Sequence, residues 1–192
     1  MTGENTENTC AGEQHFEWLG TTAIQWCTGR NRERARQQCI DGLVDAGVWP
    51  ADQPAIVTHG RLHGHPGLRF SVTHTRQVVV MAVDPGPVAG LGVDVEWASR
   101  HVHPRLSARI GGPQDDPSHA PLERWVAKEA SFKAYDPLRQ QGAARPARWI
   151  TEFWAARGQF GVRGDAQALG TLHIAHRVFA GEPWIMALAR IP

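Results

Sequence analysis

LRFSVTHTRQVVVMAVDPGPVAGLGVDVEW, residues 68–97, decides the fold class. Two runs inside it, LRFSVTHT (68–75) and QVVVMAV (77–83), are rich in β-branched and apolar residues and read as consecutive strands. DPGPVAG (84–90) is a turn by composition, because its prolines and glycines punctuate the pattern. LGVDVEW (91–97) then alternates again and reads as a third strand. The three together predict an antiparallel meander.

Upstream, RNRERARQQCIDGLVDA (30–46) carries Ala35, Cys39, Leu43 and Ala46 at three- and four-residue spacing, the pattern of an amphipathic helix. Residues 50–69 hold Pro, Gly and His in quantity and read as loop, with a short strand at 55–58. Downstream, 98–120 is a polar Gly/Pro-rich stretch with room for one short helix. Pro121 suits a first helical position, and LERWVAKEASFKAY (122–135) reads as a helix. ARWITEFWA (147–155), GQFGVRG (158–164), TLHIAHRVFA (171–180) and PWIMALAR (183–190) follow as strands. Strands, a helix and further strands predict an α+β protein with antiparallel sheet. Each half reads as helix plus meander, so two similar halves are expected at 18–97 and 98–192. Residues 1–17 are expected to form a disordered polar tail.

Composition narrows the function classes. The 192 residues carry a net charge of +1, which gives no global reason to bind nucleic acid or an anionic membrane. No apolar run approaches the roughly 18 residues that span a bilayer. The start, MTGENTENTCAGEQH, lacks the basic and apolar regions of a signal peptide, and the expected compartment is the cytoplasm. Cys10, Cys27 and Cys39 have no metal-ligand spacing and are expected as free thiols. Of 20 Lys and Arg residues only two are lysines, Lys128 and Lys133, and both lie in WVAKEASFKA (125–134). That confinement suggests that a compact, rotatable ammonium is wanted there.

Three segments carry candidate chemistry. In GVDVE (92–96), Asp94 and Glu96 are two apart on a strand and share a face, while Val93 and Val95 point the other way. Adjacent acids repel unless a cation neutralises them, and a hard ion such as Mg²⁺ accepts such oxygens. A solvated sheet face would show the same pentapeptide. In the helix, Trp125, Glu129 and Lys133 share a face at i, i+4 and i+8, with Lys128 and Phe132 on an adjoining stripe. An ordinary helix ion pair would also place Glu129 beside Lys133. In FSVTHT (70–75), Thr73, His74 and Thr75 set hydroxyl and imidazole donors at a strand end, where they could hold phosphate. The Asp115–Asp116 pair, in a Gly/Pro loop, is expected to be solvated.

FSVTHT, GVDVE and WVAKEASFKA, in that order, resemble the signature segments of the 4′-phosphopantetheinyl transferases. The middle one is similar to G-[IV]-D-[IV]-E. The last is similar to W-x-x-K-E-[AS]-x-x-K, matched by Trp125, Lys128, Glu129, Ala130 and Lys133. The length and single-chain layout resemble the surfactin-type, pseudo-dimeric group. The resemblance implies the two-halved fold of that family and a monomer. It implies transfer of the 4′-phosphopantetheine arm of coenzyme A to a serine of an acyl or peptidyl carrier protein, with Mg²⁺ (or Mn²⁺) as cofactor. It assigns Asp94, Glu96 and Glu129 to the metal, and Glu129 also to the role of base. Lys133 is assigned to the coenzyme A phosphates, Thr73 and His74 to the nucleotide end, and Arg36 to the 3′-phosphate shared with His74. Lys128 is assigned to charge balance beside the metal.

The chain departs from the family in three places, one of them a short N-terminal section that is expected to thin the adenine pocket. His65 stands between Gly64 and Pro66 where the family often has Lys or Arg, and a neutral imidazole would hold phosphate less firmly. The stretch after Glu96 is altered, and Arg105 and Arg109 flanking it are expected to steer docking of an acidic carrier helix. The alternative is a homologue that binds coenzyme A or a carrier protein without transfer, or one recruited to another reaction.

Overall fold

The computed structural model describes residues 12–51, 57–58, 61–62, 68–140 and 149–192, with the backbone alone at 57–58, 61–62 and 137–140. Strands β1 (Gln14–Leu19) and β2 (Thr22–Thr28) lead into helix α1 (Arg32–Asp45). The short β3 (Val57–Thr58) and β4 (Arg61–Leu62) pair with each other. Then come β5 (Arg69–Thr75), β6 (Val78–Asp84) and β7 (Gly90–Trp97). Helices α2 (Pro104–Ile110) and α3 (Pro121–Gln140) follow, and β8 (Phe153–Ala156), β9 (Gln159–Val162), β10 (Gly170–Phe179) and β11 (Glu182–Ile191) close the chain. The architecture is α+β, with one sheet ordered β1-β2-β6-β5, a second ordered β7-β11-β10-β9-β8, and antiparallel pairing throughout both.

The layers run α1, first sheet, second sheet, α3. Ala35, Cys39 and Leu43 of α1 pack on Ala23, Val79, Met81 and Val83 of the first sheet. Ile24, Trp26 and Val80 meet Val93, Val95, Met186 and Leu188 between the sheets. Val126, Ala127, Ala130 and Ala134 of α3 cover Ala187, Ala189 and Phe160 on the outer side of the second sheet. The start of α1 is set by Asn31, whose side-chain oxygen accepts from the amides of Glu33 and Arg34. Ala46, expected on the buried stripe of α1, is instead its exposed C-cap, and Ile40 takes a place in the core.

The meander expected at 68–97 is broken. β5 and β6 pair as a hairpin, but β7 leaves for the other sheet and pairs along its length with β11, from Gly90↔Ile191 to Trp97↔Trp184. The corner at 84–90 forces the exit. The buried Asp84 carboxylate accepts from Thr22 Oγ1 at 2.7 Å, Thr21 Oγ1 at 3.1 Å and the Gly86 amide at 2.8 Å, which bends the chain away from β6. The Ala89 amide then bonds Ile191 O at 2.9 Å and starts the new register. A division at residue 97 therefore does not follow the sheets, which part at this corner.

Other expectations shift as well. The described residues begin at 12, and β1 begins at Gln14, inside the expected tail; Arg177 of β10 grips its Glu17 with two nitrogens. β2 escaped the sequence reading because six of its seven residues are buried, so it lacks alternation. The strand expected at 147–155 is a short 3₁₀ turn, Ile150–Glu152, followed by β8. The helix expected at 122–135 extends to Gln140. Of the strand expected at 55–58, only 57–58 lies within the described residues. No helix among the described residues is long and apolar enough to cross a membrane.

Candidate active site

The edges of the two sheets meet where β5 lies beside β7. Ser71, Thr73 and Thr75 alternate along β5, so their hydroxyls share one face. Ser71 Oγ accepts from the Val93 amide at 3.0 Å. Thr73 Oγ1 donates to Asp94 Oδ1 at 2.8 Å, and Thr75 Oγ1 donates to Glu96 Oε2 at 3.2 Å. A seam of side-chain hydroxyls thus replaces a backbone ladder and fixes one oxygen of each acid. Val93 and Val95 point into the core between the sheets, as expected, so Asp94 and Glu96 face the α3 side.

Helix α3 can lie close to β7 because Gly90 and Gly92 present no side chain. A Cβ on Gly92 would stand 1.9 Å from Ala130 O, and one on Gly90 2.0 Å from Ala134 O. This close approach delivers Lys133, whose Nζ donates to Asp94 Oδ1 at 2.7 Å and to Val93 O at 3.1 Å. Glu129, one turn earlier on α3, completes a group of three carboxylates. Burial, chiefly, pushes the Glu129 carboxyl above the usual carboxylate range, and the Asp94 and Glu96 charges add to it, while Lys133 and Arg100 oppose. Glu96 is raised as well, by burial first and then by Asp94, against the pull of Arg100 and Thr75. Arg100 forms an ion pair with Glu96, and its guanidinium carbon lies 5.5 Å from the ring centre of Trp125.

On the other face of β5, His74 follows Phe70 and Val72, which pack under α1. Its imidazole pKa is lowered, first by partial burial and then by the positive charges of Arg32, Arg36 and Lys133. Arg32, Arg36 and Lys133 form a basic corner at the edge of the acid site, and their charges favour the neutral form of the His74 imidazole among them. Arg36 Nε is buried with no hydrogen-bond partner among the described residues. His65 lies outside the described residues.

The structure thus brings together Asp94, Glu96, Glu129, Lys133 and Thr73, and sets His74 and Arg36 beside them. Lys128 does not join them, and its expected role beside the metal is corrected. It is fully buried and bonds Ile110 O and Asp115 Oδ2, the latter at 2.7 Å. Burial lowers its pKa to about 8, with Asp115 opposing. Asp115, expected in solvent, is buried and also accepts from the Ala155 amide at 3.0 Å, so it ties the segment after α2 to α3 and β8. Asp116 is exposed only in part and accepts from the Ser118 amide and hydroxyl. Arg105 and Arg109 are exposed on α2. Sequence reasoning missed Thr75 as an acid-holding group, Arg32 and Arg100. The alternation S-x-T-x-T at 71–75 and the i, i+4 pair Arg32–Arg36 were signals for the first two; Arg100, three residues beyond β7 in a turn, had none.

Three carboxylates from two elements, two of them raised by burial and mutual repulsion, have the donor chemistry a hard divalent cation requires. In the present side-chain arrangement, with Lys133 and Arg100 on the acids, no group of three or more His, Cys, Asp or Glu among the described residues is arranged to hold a metal. Occupancy would require these basic partners to yield oxygens. Compared with protein-family models the chain matches none, and a comparison with curated proteins also gives no match.

Proposed function

We propose that the chain transfers the 4′-phosphopantetheine moiety of coenzyme A to a serine of an acyl or peptidyl carrier protein. One observation carries this reading: Asp94, Glu96 and Glu129 form one acid group, with Lys133 on Asp94 and Arg100 on Glu96, next to a corner holding Arg32, Arg36 and His74. An acid cluster beside a basic cluster suits a diphosphate that needs a divalent cation at one end and phosphate-binding cations at the other.

Asp94, Glu96 and Glu129 would hold Mg²⁺. When bound, the ion supplies charge neutralisation for the diphosphate oxygens as negative charge grows on them. The remaining work falls to the chain's own residues. Arg32, Arg36 and His74 grip the nucleotide phosphate. Lys133 lies within reach of the diphosphate and stabilises the departing oxygen. The serine oxygen attacks the β-phosphorus, a new phosphorus–oxygen bond forms, the bridging bond breaks, and 3′,5′-ADP leaves. The serine proton passes to Glu129, directly or through a water. Most of the catalysis is positioning and electrostatics, as in other phosphoryl transfers.

A second reading, a homologue that holds coenzyme A or a carrier protein without transfer, is favoured by the basic partners already resident on Asp94 and Glu96. One assay separates the two. An apo carrier protein is incubated with the chain, coenzyme A and Mg²⁺, and its intact mass is measured. The expected result is a gain of one phosphopantetheine arm that disappears with a chelator or in Asp94→Ala/Glu129→Ala. No gain across several acyl and peptidyl carriers, with coenzyme A still bound, would replace the transferase reading with the second one.

A further inference from the structure

The acids of β7 are neutralised in unlike ways. Lys133, on Asp94, is also anchored to Val93 O and is 29% exposed. Arg100, on Glu96, is 43% exposed, while the Glu96 side chain beneath it is only 11% exposed. The backbone of Arg100 is fixed by a turn, its amide bonding Trp97 O at 2.8 Å, so the side chain alone reaches back along the strand. Glu96 offers one oxygen, Oε2, to Thr75, and the other, Oε1, to Arg100. While paired with Glu96 the guanidinium already lies over the indole of Trp125, 5.5 Å from the ring centre, and that face can keep it when the carboxylate is taken away, since an aromatic face attracts a cation.

We propose that Arg100 is an exchangeable counter-ion of the divalent-cation site, seated on Glu96 Oε1 when the site is empty and left on the Trp125 face when a cation takes that oxygen. The inference rests on reading Asp94, Glu96 and Glu129 as a cation site. A guanidinium and a divalent cation crowded onto the same oxygen repel each other, so binding is an exchange and the measured affinity includes the loss of the arginine pair. The acid cluster then always keeps a positive partner at Glu96. The buried pair Lys128–Asp115 shows the contrast: at 0% and 3% exposure neither member has anywhere to go. Thr75 keeps Glu96 in place while its partner changes.

The test is Mg²⁺ binding by calorimetry to the full chain, alongside Arg100→Gln, Arg100→Lys, Arg105→Gln and Glu96→Gln. Arg100→Gln is expected to bind Mg²⁺ roughly fivefold tighter than the parent, the scale of a partly exposed ion pair. Arg100→Lys should stay near the parent, and so should Arg105→Gln, which removes a charge from α2. In the parent, the arginine Nε resonance that vanishes in Arg100→Lys should move during the titration with the same midpoint as binding. The proposal is overturned if Arg100→Gln binds no tighter than the parent, if Arg105→Gln tightens binding equally, or if that resonance stays put as Mg²⁺ saturates. Loss of binding in Glu96→Gln with no change in Arg100→Gln would leave the cation site standing and remove only the counter-ion. Absence of binding in both the parent and Arg100→Gln would remove both.

Discussion

Glu129 is the residue at which folding and the proposed chemistry pull apart. Burial is the main reason its carboxyl lies above the ordinary value of 4.5, and the neighbouring Asp94 and Glu96 charges add to it. A carboxyl with a raised folded pKa binds its proton more tightly in the native state. Native stability is therefore fully helped below 4.5 and declines as pH rises through the folded value. At neutral pH the ionised Glu129 is a cost. Glu129→Gln keeps the shape and removes the charge, so it is expected to stabilise the metal-free protein at neutral pH by about 0.5–2 kcal/mol. Urea denaturation should show that gain shrinking towards zero as the pH falls below the ordinary carboxylate value. A variant that is no more stable than the parent at neutral pH would mean that Lys133 and Arg100 already satisfy the acid. Mg²⁺ should raise the stability of the parent more than that of Glu129→Gln, because the variant has lost one anionic ligand.

At the scale of elements, the site depends on how closely α3 lies on β7. Gly92 lies two residues before Asp94, and a Cβ there would meet Ala130 O at 1.9 Å, a backbone atom that cannot rotate away. Gly92→Ala must therefore push helix from strand, which carries Lys133 off Asp94. The expected cost is at least about 3 kcal/mol, the upper range for overpacking, read as a fall in the urea midpoint. Ala127→Gly on the same helix is the comparison that loses packing and helix propensity without forcing the elements apart. Equal stability of Gly92→Ala and the parent would show that α3 is free to shift. Much of this pair was legible in the sequence. The alternation in GVDVE gives a strand with the acids on one face and the valines in the core, and the three- to four-residue spacing gives α3. What was not legible is which sheet β7 joins, because side-chain periodicity is the same whether a strand pairs with β6 or with β11. The fates of Lys128 and Asp115 were hidden for a related reason. Each reads as a surface charge alone, and only the fold supplies the partner that permits burial. Thr73 and His74 were legible as donors at a strand end, Arg36 was found through the resemblance, and Arg100 depends on the turn after β7 and leaves no pattern.

The whole molecule is two sheets whose edges meet at the site, so its geometry depends on what holds one sheet against the other. The hydroxyl seam of Ser71, Thr73 and Thr75 does so at the site. Asp84 does so at the crossover: it closes β6 of the first sheet and pairs with Arg190 Nε of β11 in the second at 2.7 Å. Burial by itself would raise the Asp84 carboxyl, but bonds from Thr22, the Gly86 amide and Thr21, with the Arg190 charge, outweigh it and hold the carboxyl below its ordinary value of 3.8. A lowered folded pKa contributes stability that is present above 3.8 and is lost as pH falls through the folded value. Asp84→Asn fills the same space but leaves Arg190 without its anion. The variant is expected to lose about 1–3 kcal/mol at neutral pH, the scale for removing a charged partner from a buried hydrogen-bonded group. The deficit should narrow in acid, below 3.8, as the pH falls through the folded value and the parent loses the same charge. Urea denaturation of parent and variant at the two pH values checks this. A deficit of equal size at both would mean that shape and hydrogen bonding, rather than the Asp84–Arg190 charge pair, join the sheets. Because the seam at β5 and β7 is separate from this clamp, Asp84→Asn should also weaken Mg²⁺ binding less than Thr73→Val does, since of the two only Thr73 touches an acid of the proposed cation site directly.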